Sequence, residues 1–189
     1  MSRCGALVLE DVYGMSNVED GVPLQPDAIF RLMSMSKPIT AAAAMICYEA
    51  GHYQCAALPA PILSLSSSLR LCCCRMDDPL SMYLPEWGET KVFAGGTADD
   101  PLLVEQERPI TIKHLLTHTS GMNSIIGRPE VNRMGARAMK AYATEHGGIQ
   151  GLQAYSEAMA SAPLTGQPGT RWLYGQGLSI LGRAIEVWR

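Results

Sequence analysis

A serine and a lysine at the start of a predicted helix are the residues best suited to chemistry. Ser34 and Lys37 stand three positions apart in Ser34-Met35-Ser36-Lys37, so on a helix they share one face and the amine can take the hydroxyl proton. A helix N-terminus adds partial positive charge and free amide hydrogens, which stabilise an alkoxide or oxyanion. To act as a base the lysine must be neutral, and the neighbouring alanines and methionines supply an apolar setting. The four-residue pattern alone also fits a capping serine beside a solvated lysine.

The segments around this pair predict how it is positioned. Residues 35–50 contain four consecutive alanines and predict a helix, with Pro38 tolerated in its first turn and Gly51 as its stop. Before it, the apolar run through Leu9 predicts a strand, and Glu19-Asp20-Gly21 predicts a hairpin connection to a second short extended piece. The pair is therefore expected between an N-terminal β region and the first helix.

Residues 52–75 have a different composition from the rest of the chain. These 24 residues hold no acid, four of the six cysteines, and neither a strand nor a helix period. A structureless loop longer than about 15 residues is uncommon in a compact domain. We interpret 52–75 as an atypical insert. The hypothesis is a translated intron, and the alternative is a long surface loop. Comparison of the transcript with the genomic sequence tests the hypothesis, which continuous coding sequence across these codons would contradict.

The second half of the chain predicts mainly helices and turns. Residues 88–100 predict a polar loop, and residues 109–116 predict a short helix capped by Thr111 with Gly121 as its stop. Residues 133–160 predict a helical stretch broken near Gly147-Gly148. The remaining predicted elements are a turn at Pro168-Gly169-Thr170 and a helix over the last residues, with apolar positions at Leu178, Leu181, Ile185 and Trp188.

Composition excludes several classes of function. The chain has 189 residues, 47% hydrophobic and 17% charged, with a net charge of −3. That balance disfavours a disordered tail, a nucleic-acid partner and an anionic membrane surface. The sequence shows neither a secretory signal nor an apolar run of the roughly 18 residues that span a bilayer, so a cytoplasmic location is the default expectation. The consecutive Cys72, Cys73 and Cys74 do not suggest a disulfide framework or a zinc site, and we expect reduced thiols.

Four segments of the chain, taken in order, carry a family resemblance. The segments are Ile29-Phe30-Arg31-Leu32-Met33-Ser34-Met35-Ser36-Lys37-Pro38-Ile39-Thr40, then Asp77-Asp78-Pro79-Leu80 with Tyr83-Leu84-Pro85-Glu86-Trp87, then Ile110-Thr111-Ile112-Lys113-His114-Leu115-Leu116-Thr117-His118-Thr119-Ser120-Gly121, and Pro168-Gly169-Thr170-Arg171-Trp172-Leu173-Tyr174. Together they resemble the serine β-lactamase-like and penicillin-binding-protein-like hydrolases, especially the class C branch with its esterases and D-aminopeptidases. The resemblance extends over most of the chain outside residues 52–75. The resemblance implies an α+β fold, an antiparallel sheet flanked by helices with a helical region, of which about 165 residues form an incomplete, N-terminal part.

The resemblance also implies residue roles. Ser34 matches the acylated nucleophile, Lys37 its hydrogen-bonded partner, and Tyr174 the tyrosine that shares proton transfer with the lysine. Gln176 stands where the family has asparagine. Its longer side chain either offers the same amide to the substrate or is misplaced for that contact. Without the family context, Tyr174 would be interpreted as a core aromatic behind Trp172.

Two further features have competing interpretations. His118 could suggest a Ser-His-Asp triad, but the resemblance favours a residue that fixes the loop after the helix. Asp77-Asp78 could suggest a metal pair, but adjacent carboxylates before proline more often cap a turn.

The implied reaction is attack of Ser34 on an ester or amide carbonyl, followed by hydrolysis of the acyl-enzyme, as in an esterase, a β-lactamase or a D-peptidase. The substrate would be a small molecule, and no metal or organic cofactor is required. The family's third motif, Lys/His-x-Gly, finds no match in the 15 residues after Tyr174. Since loss of an oxyanion donor costs about 100- to 1000-fold in rate, we expect the chain as given to be truncated and inactive. The alternative is a non-catalytic binding module or pseudoenzyme fragment of the same fold.

Overall fold

The computed structural model of the chain describes residues 1–50, 76–124 and 127–188. The chain divides into two compact units, Met1–Ser36 and Lys37–Arg189. The atypical insert predicted at 52–75 lies outside the described residues. Ser34 belongs to the first unit, and Lys37, Tyr174 and Gln176 belong to the second.

The first unit consists of two short antiparallel hairpins and a 3-10 helix. Its strands are β1 (Ser2–Arg3), β2 (Ala6–Leu7), β3 (Met15–Asn17) and β4 (Val22–Pro23), which pair as β1–β2 and β3–β4. The single strand predicted through Leu9 is divided because Cys4 and Gly5, with φ of 49° and 78°, form a tight turn. The predicted connection at 19–21 is confirmed: the Gly21 amide donates to the Val18 carbonyl at 3.4 Å.

The second unit contains most of the helical structure. Its helices are α1 (Ser36–Glu49, whose first residue ends the first unit), α2 (Ile112–Leu116), α3 (Pro129–His146), α4 (Gly151–Ala160) and α5 (Gly177–Val187). The predicted helices at 35–50 and at the end of the chain are confirmed. The predicted break is also confirmed, since Gly147, with φ of 71°, ends α3. Within the described parts of the chain, every helix is too short or too polar to cross a membrane.

Helix α2 shows a capping box. The Thr111 hydroxyl accepts from the His114 amide, and the His114 Nδ1 accepts from the Thr111 amide, both at 3.2 Å. Thr111 is therefore the cap that the sequence predicts. The predicted stop is wrong, because α2 ends at Leu116 and Gly121 lies in the loop beyond it.

The polar loop predicted over 88–100 contains a strand of five residues. β5 (Val92–Gly96) pairs antiparallel with β6 (Pro101–Val104), with a register shift between Phe93 and Gly95. Val92 and Phe93 are buried, and the Phe93 amide donates to the Leu164 carbonyl at 2.9 Å. Burial and this distant backbone partner stabilise a strand that the two glycines and the flanking polar residues obscure.

The core lies between α2, α4, α5 and the segment at 80–92. Helix α5 packs against α2 and α4, and Ala44 of α1, with 0% exposure, joins the same apolar cluster. Trp87 donates its indole hydrogen to the fully buried Ser156 hydroxyl at 2.9 Å, and Ser156 donates to Glu86 at 2.6 Å. The buried indole of Trp87 and the buried hydroxyl of Ser156 are therefore both paired.

Candidate active site

Lys37 and Tyr174 meet, although they are far apart in the sequence. The Lys37 Nζ lies 4.9 Å from the centroid of the Tyr174 ring, over its face. Lys37 shares one face of α1 with Ala41 and Ala44, which pack against the core, so helix packing fixes where the amine is placed. A cation this close to a ring face is attracted to it, by about 0.5–2 kcal/mol depending on solvent exposure.

The segment that carries Tyr174 is attached to the loop after α2. The Leu173 amide donates to the His118 carbonyl at 2.7 Å, and the buried Ser124 hydroxyl donates to the Tyr174 carbonyl. These two bonds hold the backbone on both sides of the Tyr174 side chain. The phenol is therefore presented by a fixed backbone.

Two further backbone bonds continue this attachment. The Gly169 amide donates to the Thr119 carbonyl and the Thr165 amide to the Gly121 carbonyl, each at 2.7 Å. The two segments approach so closely that a Cβ on Gly121, whose φ is 76°, would overlap the carbonyl oxygen of Gly166. Glycine at 121 is therefore required by the close approach rather than by a helix end.

A second close approach lies next to Tyr174. A Cβ added to Gly175 would be 2.7 Å from the Asn123 carbonyl oxygen. The residue after the tyrosine therefore has room for hydrogen alone, which keeps Tyr174 against the loop at 118–124.

His118 lies beside Tyr174 and close to Lys37. Its ring centroid is 4.8 Å from that of Tyr174 at a 45° tilt, and 6.0 Å from that of Trp172. Burial of the ring, and then repulsion from the Lys37 cation, lower the pKa of His118 below its ordinary value of 6.5. The imidazole is therefore uncharged at neutral pH.

The other candidate residues are placed as follows. Ser34 is exposed and lies in the first unit, in the 3-10 helix Met33–Met35 that precedes α1. Gln176 is the N-cap of α5, two positions after Tyr174, and its side chain makes no capping hydrogen bond. The structure thus brings Lys37, Tyr174 and His118 together within the second unit. The roles of Ser34, Lys37, Tyr174 and Gln176 all stay predictions.

The paired aspartates lie in a turn before Pro79. Asp78 accepts a hydrogen bond from the Tyr83 hydroxyl at 3.2 Å, and Asp77 forms an ion pair with Lys113 at 3.8 Å. Among the described residues, no group of three or more histidine, cysteine, aspartate and glutamate side chains could hold a metal ion.

Two contributors to the site are poorly predicted by sequence. Ser124, which bonds the Tyr174 carbonyl, carries no motif signal. The ring of His118 contacts Tyr174, whereas the sequence suggested a loop-fixing role alone. The sequence pattern that could have indicated this contact is His118-Thr119-Ser120-Gly121, which lies in the loop that binds the Tyr174 segment.

Comparison with known proteins defines the family. The family model described as Beta-lactamase matches residues 1–187, so the chain belongs to the beta-lactamase family. Lovastatin esterase from Penicillium rubens is 36% identical over 165 residues, which are 87% of this chain and 34% of that protein. Esterase EstB from Burkholderia gladioli is 28% identical over 191 residues, 98% of this chain and 39% of its own length.

Solved structures agree on the fold. Unliganded simvastatin synthase (LovD) from Aspergillus terreus matches with a TM-score of 0.63 and 26% identity, over 90% of this chain and 36% of that one. The fold is therefore of the β-lactamase type predicted from the motifs, with helices and small antiparallel sheets. The chain spans about a third of the length of the relatives it matches.

Proposed function

We propose that this polypeptide carries the acyl-transfer centre of a serine hydrolase. Ser34 attacks the carbonyl carbon of a small ester or amide, its hydroxyl proton passes to the Lys37–Tyr174 pair, and the leaving group departs with a proton from that pair. Water, or a second acceptor hydroxyl, then takes the acyl group from Ser34 and restores the free enzyme. Each step conserves protons and needs no metal or organic cofactor.

One observation carries the proposal: Lys37 Nζ lies 4.9 Å from the Tyr174 ring centroid. Two residues that the motifs predict as proton carriers are adjacent in space, and each is fixed by separate contacts. The amine lies beside the ring that bears the phenol hydroxyl, and proton transfer between these two groups is part of the proposal. Tyr174 is half-buried and, among the described residues, it does not belong to the apolar cluster that Tyr48, Tyr83 and Tyr155 pack against, as a tyrosine that merely completed the core would.

The backbone next to Ser34 also supports a functional role. Met33, immediately before it, has φ of 51°, a conformation that side-chain-bearing residues seldom adopt. Strained backbone is concentrated at active sites and ligand clamps. This strain lies within the first unit, beside the residue proposed as nucleophile.

The relatives support an ester as substrate. Their names include an esterase of lovastatin, esterase EstB and several acyltransferases. We therefore propose an oxygen ester of a small molecule ahead of an amide, with water or an alcohol as the acyl acceptor.

Covalent labelling tests the proposal. The purified chain is treated with a fluorophosphonate or a penicillin probe, and the adduct is located by peptide mass spectrometry. Acylation should occur at Ser34 and be lost in Ser34→Ala, whereas Ser36→Ala, which removes a hydroxyl two positions away, is the matched control and should keep it. A folded chain that gives no Ser34-dependent adduct contradicts the proposal and favours the non-catalytic module. The sequence-based prediction that the chain is inactive expects the opposite result: a Ser34-dependent adduct overturns that prediction, and the absence of an adduct supports it.

A further inference from the structure

The backbone and the ring of His118 make separate contacts. Its carbonyl accepts from the Leu173 amide at 2.7 Å, and its ring lies 4.8 Å from Tyr174. We infer that the His118 ring is a positioning residue for the proposed reaction: it packs on Tyr174 and holds the phenol beneath Lys37. This inference rests on the proposed role of Tyr174 and goes beyond loop fixing by assigning a function to the side chain.

The backbone contact alone does not require histidine. His118 has φ of 57°, in the left-handed region where glycine and asparagine are the residues of lowest strain. Its carbonyl would accept from Leu173 with either of those residues at 118. Histidine is tolerated in this conformation as well, so the backbone does not select it over asparagine, and the contacts of the ring with Tyr174 and Trp172 distinguish the two residues.

The geometry shows what the ring does. The His118 and Tyr174 rings are tilted at 45°, and His118 and Trp172 cross at 73° with centroids 6.0 Å apart. Both distances lie within the range of attractive aromatic pairs. The Trp172 ring also lies beside that of Tyr174, with centroids 6.1 Å apart, but Trp172 is 60% exposed. His118 is half-buried, and its ring is the nearer of the two to the phenol ring.

The contact is made by packing rather than by a polar bond at the buried nitrogen. The Nδ1 of His118 is buried and has no hydrogen-bond partner within the described part of the chain. Lys37 of α1 and Tyr174 are the titratable neighbours that the geometry places beside the ring. An uncharged ring can pack beside both groups, whereas an imidazolium would repel Lys37 and compete for the same phenol.

Two substitutions separate the ring from the backbone. His118→Phe keeps an aromatic ring of similar width and loses the nitrogens, whereas His118→Asn keeps a residue suited to positive φ and loses the ring. Both variants are made in the 189-residue chain. The measurement is the nuclear Overhauser effect between the Lys37 side-chain methylenes and the Tyr174 ring, with amide spectra to confirm the fold.

We expect the Overhauser effect to persist in His118→Phe and to be lost in His118→Asn. Persistence in His118→Asn, or loss in His118→Phe, overturns the inference. If a variant fails to fold, acidification of the unmodified chain serves instead: the effect should weaken in step with the His118 titration, and an unchanged effect overturns the inference. Neither measurement involves Ser34, so a failure of acylation and a failure of this inference are distinguishable.

Discussion

Gly121 offers a sharp test of how the tyrosine segment is held. Gly121→Ala adds two costs: a left-handed φ of 76° for a residue with a side chain, and the overlap of its Cβ with the Gly166 carbonyl oxygen. Gly147→Ala is the matched control, since Gly147 has φ of 71° and an added Cβ there would have nothing within 4 Å. The control therefore measures the conformational cost alone, about 1 kcal/mol.

The difference between the two variants measures the close approach. Forcing a methyl group into a packed contact costs about 1–3 kcal/mol, so Gly121→Ala should lose about 2–4 kcal/mol of the free energy of unfolding. With a urea dependence of about 2 kcal/mol/M, the unfolding midpoint falls by about 1–2 M, against about 0.5 M for Gly147→Ala. Urea titration followed by tryptophan fluorescence measures both. Equal midpoints for the two variants would refute the argument that the loop at 118–124 and the segment at 164–175 are in close contact.

Three further predictions concern the site and its support. Lys37→Met should raise the pKa of His118 toward 6.5, while burial keeps it below that value; imidazole NMR titration measures this, and an unchanged pKa contradicts the proximity of the two residues. Burial lowers the pKa of both His114 and His118, so the unfolded chain binds more protons near pH 6. Stability should be fully present above pH 6.5 and decline as pH falls through the folded-state pKa values; urea midpoints at pH 7.5 and 5.5 test this, with a His114→Asn, His118→Phe double variant as control. Ser156→Ala leaves the buried Trp87 indole hydrogen without its acceptor and should cost about 1–3 kcal/mol in unfolding free energy, whereas a cost below that of the exposed Thr144→Ala argues against the bond.

The sequence predicted those parts of the fold that depend on neighbours along the chain. The alanine run of α1, the Thr111 cap and the glycine pair at 147–148 are local signals, and the structure has a helix, a capping box and a helix break at those places. The hairpin β5–β6 was missed because its strand character depends on Leu164, which lies more than sixty residues away from Lys91 and Phe93.

The residues of the candidate site were also predicted only in part, because several of their contacts join segments that are distant in the sequence. Motif order identified Lys37 and Tyr174, and the structure brings them together. Gly121 was interpreted as a helix stop because glycine often ends helices, but its positive φ serves the close approach to Gly166. The ring contact of His118 with Tyr174 could not be predicted, because His118-Thr119-Ser120-Gly121 is a sequence that many loops could have. The contact depends on Tyr174, which is more than fifty residues further along the chain.

The four bonds that hold the tyrosine segment also determine when the site can form. They join residues 118–124 to residues 165–174, with α3 and α4 in between, and the Ser124–Tyr174 bond spans 50 positions. Closing so long a loop carries an entropic cost before any of the four bonds forms. The amides of Thr165, Gly169 and Leu173 should therefore exchange with solvent only through large-scale opening, while amides at the start of α1 exchange by fraying. We therefore expect helix α1, which carries Lys37, to form early in folding through local contacts, and the segment that carries Tyr174 to attach after the loop has closed.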